Sequence, residues 1–374
     1  MSTMHPTAVD VDLAVVEGVH IPAGLSAARA ELWTVERGLW GPRTVQSRRG
    51  AALTAGRPHT AYRKIVDVVA DDIETFRRLI GAAADDVPPN PDGSRPAPIV
   101  VRFEEHPNRV PLTDRQREVL GELGFVEDPV PVPSVESTRP DSLNFARGWS
   151  KWFSPLPTER TAYYGQTTDV TCGPTTALMA MERAGFGRLG ADGADNHAAE
   201  IALWRKATNA PGCDPVSLAL AVADEITAAG LPIQQPTVVL SAPGLILVED
   251  FSKTPEEAKL RKALQLDSLP RADAVGLPIE RRWFTVDEVG AIVSGGADVF
   301  LLIALEPLIA DPSPHWVLVH DVIDDVFIVS DPWVESEHGE SWVDSAELPI
   351  PSAGIDLIAR LGEPVVRAMV IFGR

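Results

Sequence analysis

The sequence predicts an α+β fold in two domains. The chain has 374 residues, which is enough for two domains of about 100–200 residues each. A helix is expected after Cys172, because Gly173 and Pro174 precede an apolar run and proline is well tolerated in a first helical turn. Within residues 314–333, two β-rich runs flank an Asp-Asp turn and predict a hairpin.

Residues 1–137 are expected to form the smaller domain, of the α/β type. Ser26 and either Asp71 or Asp72 are expected helix N-caps, and Thr113 with Gln116 is an expected capping box. The helix candidates cover residues 26–38, 71–84 and 113–123. The strand candidates cover residues 9–19, 51–54, 62–69, 99–103 and the proline-interrupted stretch 126–135. The proline-rich, acidic stretch 87–98 is expected to be an exposed loop.

Residues 138–160 are expected to be a linker, in which Trp149 and Trp152 lead into the second domain, residues 161–374. Helix candidates in that domain cover residues 175–183, 200–208, 215–229, 254–266 and 285–294, the last with Thr285 as its cap. Strands are expected within residues 237–248, 299–304 and 365–372, in addition to the hairpin.

Cys172 is the candidate nucleophile. It lies at or beside a predicted helix N-terminus, where the helix dipole stabilises the negative charge of a thiolate. Gln166, six residues upstream, can donate an amide N–H toward an oxygen held next to the sulfur, as an oxyanion hole requires. The alternative is a buried structural cysteine at the start of a core helix.

His315 and Asp331 are the candidate base and orienting acid. A Cys, a His that takes its proton and an Asp that orients the His form a nucleophilic triad. His315 opens the first strand of the predicted hairpin and Asp331 closes the second. A two-residue turn would place Asp331 opposite Leu318, so close contact with His315 requires a longer turn or a bulge.

His320 is the rival base on the same strand. It lies five residues from His315, an odd step that turns it to the opposite face of a regular strand. The rival orienting acids are more typical of solvated turn residues: Asp321, Asp324 and Asp325.

Four short motifs together resemble the papain-like peptidases of the bacteriocin-processing, double-glycine-leader type. The residues that carry this resemblance are Gln166, Cys172-Gly173-Pro174, His315-Trp316-Val317 and Asp331-Pro332. A middle block, from Leu203 to Ala221, is similar to the soluble, stand-alone branch of that family. The resemblance covers roughly residues 163–333, under half of the chain.

The resemblance implies a papain-like fold, in which the helix that carries Cys172 packs on an antiparallel sheet that carries His315 and Asp331. It also implies thiol-dependent peptide cleavage, with the Cys172 backbone N–H and Gln166 binding the oxyanion and Trp333 covering the His–Asp bond. Amide-forming acyl transfer shares the same thioester step and remains open. A catalytically inactive peptide-binding or regulatory protein is the alternative.

The order of elements in residues 1–137 resembles a GNAT-type acetyltransferase domain. That family cradles the pyrophosphate of acetyl-CoA with closely spaced glycines after a strand. The segments Arg48-Arg49-Gly50 and Gly56-Arg57-Pro58 match that pattern poorly. The sequence therefore favours a degenerate scaffold or recognition domain over a working transferase.

Composition limits the partners and the compartment. The net charge of −20 argues against nucleic acid and against an anionic membrane as partners. A peptide or protein substrate is what the resemblance implies. Two cysteines form no disulfide framework, and residues 1–12 do not resemble a signal peptide, so a cytoplasmic location is expected. The longest apolar runs are too short to span a membrane.

No cofactor and no metal site are expected, because the His and Cys residues lack metal-binding spacing. Cys213 is either a small residue in the pocket wall or a thiol that forms a reversible disulfide with Cys172.

Overall fold

The α+β class predicted from the sequence is confirmed. The computed structural model describes residues 13–88, 93–135, 146–155, 160–249 and 251–373. Within these ranges, helices pack on two seven-stranded sheets, and a small two-stranded sheet lies apart from them. The expectations for residues 1–12, and parts of those for residues 87–98 and 138–160, fall outside the described residues.

The first large sheet, here called the N-terminal sheet, has the strand order β1-β2-β3-β4-β5-β7-β6. Among its described strands, only β4 and β5 pair in parallel. Its strands are β1 (Ala14–Glu17), β2 (Arg43–Ser47), β3 (Gly50–Ala55), β4 (Tyr62–Ala70), β5 (Val100–Glu105), β6 (Val126–Glu127) and β7 (Arg147–Trp152). The helices that accompany it are α1 (Ala27–Thr34), α2 (Ile73–Asp85) and α3 (Asp114–Glu122).

The predicted N-caps of these three helices are present. Ser26 and Asp72 accept from the backbone N–H groups of Arg29 and Thr75, three residues ahead. Thr113 forms a complete capping box with Gln116. Side chains of this kind accept hydrogen bonds from the unpaired backbone N–H groups of a first helical turn. The starts of these helices were therefore predictable from the local sequence.

The second large sheet, here called the C-terminal sheet, has the order β11-β10-β16-β12-β13-β14-β15. Its strands are β10 (Thr237–Leu240), β11 (Ile279–Arg281), β12 (Asp298–Ala304), β13 (Pro314–Ile323), β14 (Val326–Ser330), β15 (Leu348–Pro351) and β16 (Ala368–Phe372). The two-stranded sheet pairs β8 (Thr208–Asn209) with β9 (Gly212–Cys213).

The described helices of this half surround the C-terminal sheet. They are α4 (Cys172–Arg183), α5 (Gly193–Ala207), α6 (Pro215–Ala229), α7 (Pro255–Val275), α8 (Val286–Ser294), α9 (Glu306–Ile309), α10 (Trp342–Ser345) and α11 (Ser352–Ile358). Helix α7 runs well past the predicted end at residue 266 and contains Pro270. Thr285 caps α8 as expected, by accepting from the Glu288 N–H at 3.2 Å.

The C-terminal sheet is buried on both faces because its strands alternate between two apolar clusters. Phe300 and Leu318 face the cluster that contains α4 and α6. Leu301 and Val317 face a second cluster, which continues into the N-terminal sheet through residues such as Leu53. The two sheets therefore share this second cluster, while a third cluster, which includes Ile65 and Phe76, packs α2 on the N-terminal sheet alone.

The linker expected at residues 138–160 is wrong for part of that stretch. Residues 147–152 form strand β7, which pairs with β5 from Val100↔Trp152 to Glu105↔Arg147. Trp149 and Trp152 therefore belong to the N-terminal sheet and not to the second domain. The pairing joins segments more than forty residues apart in sequence, so no local signal announced it. The predicted edge strand at residues 126–135 is shorter than expected and consists of β6 alone.

Candidate active site

Cys172 is the first residue of α4, and the first ten residues of this helix are buried. Thr171, the N-cap residue, has no side-chain capping bond within the described part of the chain. The first backbone N–H groups of the helix therefore have no side-chain cap, and they favour a negative charge at the helix N-terminus. The sulfur of Cys172 occupies that position.

Tight packing holds the start of α4 against β13. A Cβ atom on Gly173 would lie 3.2 Å from Cδ1 of Trp316, so the close approach of the helix to the strand favours glycine. Thr176 donates a hydrogen bond from Oγ1 to the backbone oxygen of Trp316 at 3.1 Å. The residue after His315 is therefore fixed to the helix that begins with Cys172.

The hairpin of β13 and β14 brings His315 and Asp331 together. A bulge lies between Val319 and Asp321, as the sequence required, and it pairs Leu318 with Ser330 instead of Asp331. Nε2 of His315 lies 2.7 Å from Oδ1 of Asp331, and both side chains are buried. The other ring nitrogen of His315 is not used by Asp331, and Cys172 lies near enough to raise the pKa of the imidazole.

The charges of this group favour a protonated imidazole. Burial alone would lower the pKa of His315, but the charge of Asp331, then that of Cys172, and hydrogen bonds to both raise it to about 9. Burial would raise the pKa of Asp331, but the positive charges of His315 and Arg57 lower it to about 2. At neutral pH this geometry pairs an imidazolium with an ionised carboxylate.

Asp331 is held from several sides. Its Oδ1 also accepts from the backbone N–H of Trp333 at 2.8 Å, and its Oδ2 accepts from Nη1 of Arg57 at 2.5 Å. The backbone oxygen of Asp331 accepts from the hydroxyl of Tyr163, which precedes Cys172 in the chain, at 2.9 Å. Trp333 thus binds Asp331 through its backbone, a contact that the sequence analysis did not expect.

Gln166 lies in the same region but is partly engaged elsewhere. Its backbone N–H donates to the Pro332 carbonyl at 2.9 Å, which ties it to the residue after Asp331. Its side-chain Nε2 donates to the Thr168 carbonyl at 2.7 Å. The side-chain oxygen is buried and has no partner among the described residues. A carboxamide nitrogen carries two hydrogens, so one donor of Gln166 is still available.

A buried carboxylate shapes the loop between Gln166 and Cys172. Glu200, on α5, accepts from the backbone N–H of Thr167 at 2.9 Å and from the hydroxyls of Thr167, Thr171 and Tyr164. These bonds fix the backbone immediately before the sulfur. No local sequence signal indicates this role, because Glu200 lies within an ordinary helix.

An open cleft of about 480 Å³ borders Cys172. Its walls include Cys213, Trp316 and the apolar side chain of Leu247. Asn209 also lines it; this side chain is only 1% exposed, and neither its oxygen nor its nitrogen has a partner among the described residues. Buried amides normally have hydrogen-bond partners, so Asn209 offers unused donors and an acceptor to the cleft.

Cys213 is a buried free thiol in the cleft wall. Its backbone oxygen accepts from the indole N–H of Trp316 at 3.0 Å. Burial, then the charge of Cys172, raises the pKa of the Cys213 thiol well above its usual range. Cys213 therefore stays protonated and is a poor nucleophile.

The rival candidates do not meet Cys172. His320 lies beside the bulge, where its Nε2 contacts the hydroxyl of Ser330 at 3.1 Å. Asp324 sits exposed at the tip of the hairpin with a φ of 53°, as a turn residue. Among the described residues, no group of three or more His, Cys, Asp or Glu side chains is arranged to hold a metal ion.

Residues 161–373, more than half of the chain, match the model of the Peptidase_C39 like family. The chain belongs to the Peptidase_C39 like family. Its α+β arrangement, with a helix led by a cysteine packed on a mainly antiparallel sheet, is consistent with the papain-like fold. No curated protein matches the chain. No helix in the described ranges is both long and apolar enough to span a bilayer.

The candidate site of this Peptidase_C39 like domain extends beyond its matched residues, since Arg57 lies in the loop between β3 and β4 of the N-terminal sheet. The sequence showed Gly56-Arg57-Pro58 only as a poor phosphate-binding segment, and its contact with Asp331 was missed. A partial signal did exist: Glu335, Glu340 and Asp344 follow Asp331 closely and are interspersed with Trp333 and Trp342. Buried acids require cationic partners, and Arg57 is one of them.

Proposed function

We propose that this protein is a cysteine peptidase-like enzyme that acts on a peptide substrate through Cys172, His315 and Asp331. The observation that carries the proposal is the bond of His315 to Asp331 through Nε2, in a site where Cys172 lies near enough to raise the pKa of the same imidazole. A base that is oriented by an acid beside a thiol is the arrangement that activates a nucleophile.

The reaction follows from these contacts. The Cys172 thiolate attacks the carbonyl carbon of the scissile amide, and a C–S bond forms as the carbonyl electron pair moves to oxygen. The His315 imidazolium then gives its proton to the leaving nitrogen, the C–N bond breaks and a thioester remains. Water gives a proton to His315 while its oxygen attacks the thioester, the C–S bond breaks, and a carboxylic acid leaves, which restores the Cys172 thiolate and the His315 imidazolium. An amine in place of water would form a new amide, which is acyl transfer.

The oxyanion is bound by two donors in this proposal. One is the backbone N–H of Cys172 at the uncapped start of α4, and the other is the second side-chain N–H of Gln166. Donors that are fixed before the reaction stabilise charge that develops in the transition state. The bonds from Glu200 to the intervening loop support this role, because they hold the loop rigid.

The substrate is a peptide that lies in the cleft beside Cys172. Asn209 supports this assignment, because its unpartnered amide can both donate to and accept from a peptide backbone. The processing of a precursor peptide is the role that the bacteriocin-type resemblance suggests. A cytoplasmic location fits two cysteines that are both free.

The N-terminal sheet and its helices form, in this proposal, a GNAT-like domain that does not bind acetyl-CoA. The element order, with the parallel pair β4–β5 at the centre of the sheet, supports the relationship. The connection from β4 to α2 supports the loss of binding. It offers no glycine, Asp72 caps the helix, and Glu74 lies in its first turn, so phosphate would meet negative charge.

The alternative is a peptide-binding protein without turnover, and alkylation of Cys172 by iodoacetamide at pH 6 separates the two. An enzyme requires that His315→Ala slow this reaction by at least about tenfold, because the imidazolium that supports the thiolate is lost. The matched control is His320→Ala, which removes a second buried histidine from the same strand. Equal rates in the wild type and in His315→Ala would refute the enzyme and leave the binding protein.

A further inference from the structure

Arg57 is a residue of the N-terminal sheet that reaches the triad. It follows β3, and its side chain is 2% exposed. Its Nη1 donates to Oδ2 of Asp331 at 2.5 Å, while its Nε and Nη2 donate to the two carboxylate oxygens of Glu340 at 2.6 and 2.5 Å. Nη2 also donates to the Trp333 carbonyl at 3.2 Å. The guanidinium thus spans both ends of the segment that carries the orienting acid.

We propose that Arg57 is a positioning residue of the triad, supplied to the Peptidase_C39 like domain by the N-terminal sheet. The inference rests on the proposed function, because it assigns Arg57 a role in that same site. The two oxygens of Asp331 have separate partners: Oδ1 faces His315 and the Trp333 N–H, and Oδ2 faces Arg57. The carboxylate cannot rotate away from His315 without breaking the bond to Arg57.

Charge adds to this geometric constraint. Asp331 is fully buried, and a buried carboxyl group without a cation tends to be protonated. Arg57 acts with His315 to keep it ionised, and an ionised Asp331 is what stabilises the imidazolium of His315. Arg57 is not among the residues that line the cleft, so its loss is expected to lower turnover and leave substrate binding unchanged.

Lys64 provides a matched control from the same sheet. It is buried as deeply as Arg57, and it also bridges two acids: Nζ lies 2.6 Å from Oε2 of Glu104 and 2.5 Å from Oδ2 of Asp344. It joins the two sheets in the same way, but its acids are not members of the triad. A purely structural role would make the two cations equivalent.

The experiment compares two charge-balanced double variants of the full chain. Arg57→Met with Glu340→Gln leaves Asp331 with His315 as its ion-pair partner. Lys64→Met with Asp344→Asn leaves Glu104 in a similar condition, with His106 as its partner. Each is assayed for hydrolysis of a p-nitrophenyl ester of a blocked amino acid across pH. The ¹H NMR spectrum is searched for the imidazole N–H of His315 that binds Asp331.

Only the Arg57 double variant is expected to change these readouts. Its kcat falls by about 10²-fold, the loss associated with misplaced catalytic groups, and KM stays within about twofold. The acid limb of its pH profile moves up by about 1–3 units, as for a carboxyl that loses an adjacent cation, and the His315 N–H resonance disappears. Arg57→Lys with Glu340→Gln keeps a cation beside Asp331 and is expected to recover part of each change. Such a recovery would exclude misfolding as the cause of the losses.

Equal losses of kcat in the two double variants would overturn the inference. So would an Arg57 double variant that keeps the wild-type acid limb of the pH profile and the wild-type His315 N–H resonance. A different result would refute the proposed function: iodoacetamide would alkylate Cys172 no faster in the wild type than in His315→Ala. The NMR resonance requires no turnover, so it still reports whether Arg57 holds Asp331 in that case.

Discussion

Replacing Asp331 by asparagine removes the negative charge beside His315. The rise in the pKa of His315 from 6.5 to about 9 corresponds to about 3 kcal/mol in favour of the imidazolium, at about 1.4 kcal/mol per pKa unit. Asparagine cannot supply this energy. Because Arg57 donates to one side of residue 331, the asparagine oxygen is expected to turn toward Arg57 and its NH₂ group toward His315. The histidine would then carry its proton on the nitrogen that faces Cys172.

Two measurable results follow for Asp331→Asn. Turnover of the ester falls by up to about 10⁴-fold, the loss seen when a triad histidine is held in the wrong tautomer. The basic limb of the pH–rate profile, which reports the loss of the His315 proton, moves down from about pH 9, because the effect of burial is then opposed by Cys172 without Asp331. The sign is fixed: removal of a negative charge lowers the pKa of the neighbouring imidazole.

The matched control is Asp324→Asn, on the exposed tip of the same hairpin. Asparagine tolerates the positive φ of that position, so this variant should keep the wild-type profile. A basic limb near pH 9 in Asp331→Asn, or turnover within about tenfold of wild type, would refute the electrostatic reasoning.

Three further predictions concern the oxyanion hole, the cleft and the N-terminal sheet. Gln166→Ala should lower kcat by about 10²–10³-fold while alkylation of Cys172 by iodoacetamide stays near wild type; a parallel fall in both would contradict the oxyanion role. Asn209→Leu should raise KM by about 3–10-fold and raise the free energy of unfolding by about 1–3 kcal/mol in urea, because it removes a buried unpartnered amide; an unchanged KM would argue against a contact with substrate. Calorimetry with acetyl-CoA should give no heat of binding, and a micromolar dissociation constant would overturn the degenerate-scaffold proposal.

Features set by local chemistry were predictable from the sequence. Helix caps at Ser26, Asp72 and Thr113 depend on residues three positions apart, and α6 begins at Pro215 as its proline and preceding Asp214 indicate. The hairpin and its need for a bulge followed from strand alternation and the position of Asp331. The contact between His315 and Asp331 was predictable for the same reason, since His315 lies on β13 and Asp331 directly follows its partner strand β14.

Features set by distant contacts were not predictable from one sequence. Strand β7 pairs with β5, and of its six residues, Arg-Gly-Trp-Ser-Lys-Trp, only the two tryptophans favour a strand. Arg57 and Asp331 are 274 residues apart, and Arg57 acquires its role only when the two sheets pack together. The side-chain amide of Gln166 donates one hydrogen bond to the Thr168 carbonyl, and this contact depends on the path of the loop. Glu200, on helix α5, fixes that loop by accepting from the Thr167 N–H.

In the proposed mechanism, Cys172 is the residue that carries the acyl group. The most direct test is to react the protein with a p-nitrophenyl ester of a blocked amino acid, quench it in acid and locate the acyl adduct by peptide mass mapping. The expected result is one acyl group on Cys172, formed in a burst, with normal formation in Cys213→Ala and none in His315→Ala. A folded wild-type protein that carries its adduct on Cys213, or forms none while the ester is hydrolysed, would contradict the account.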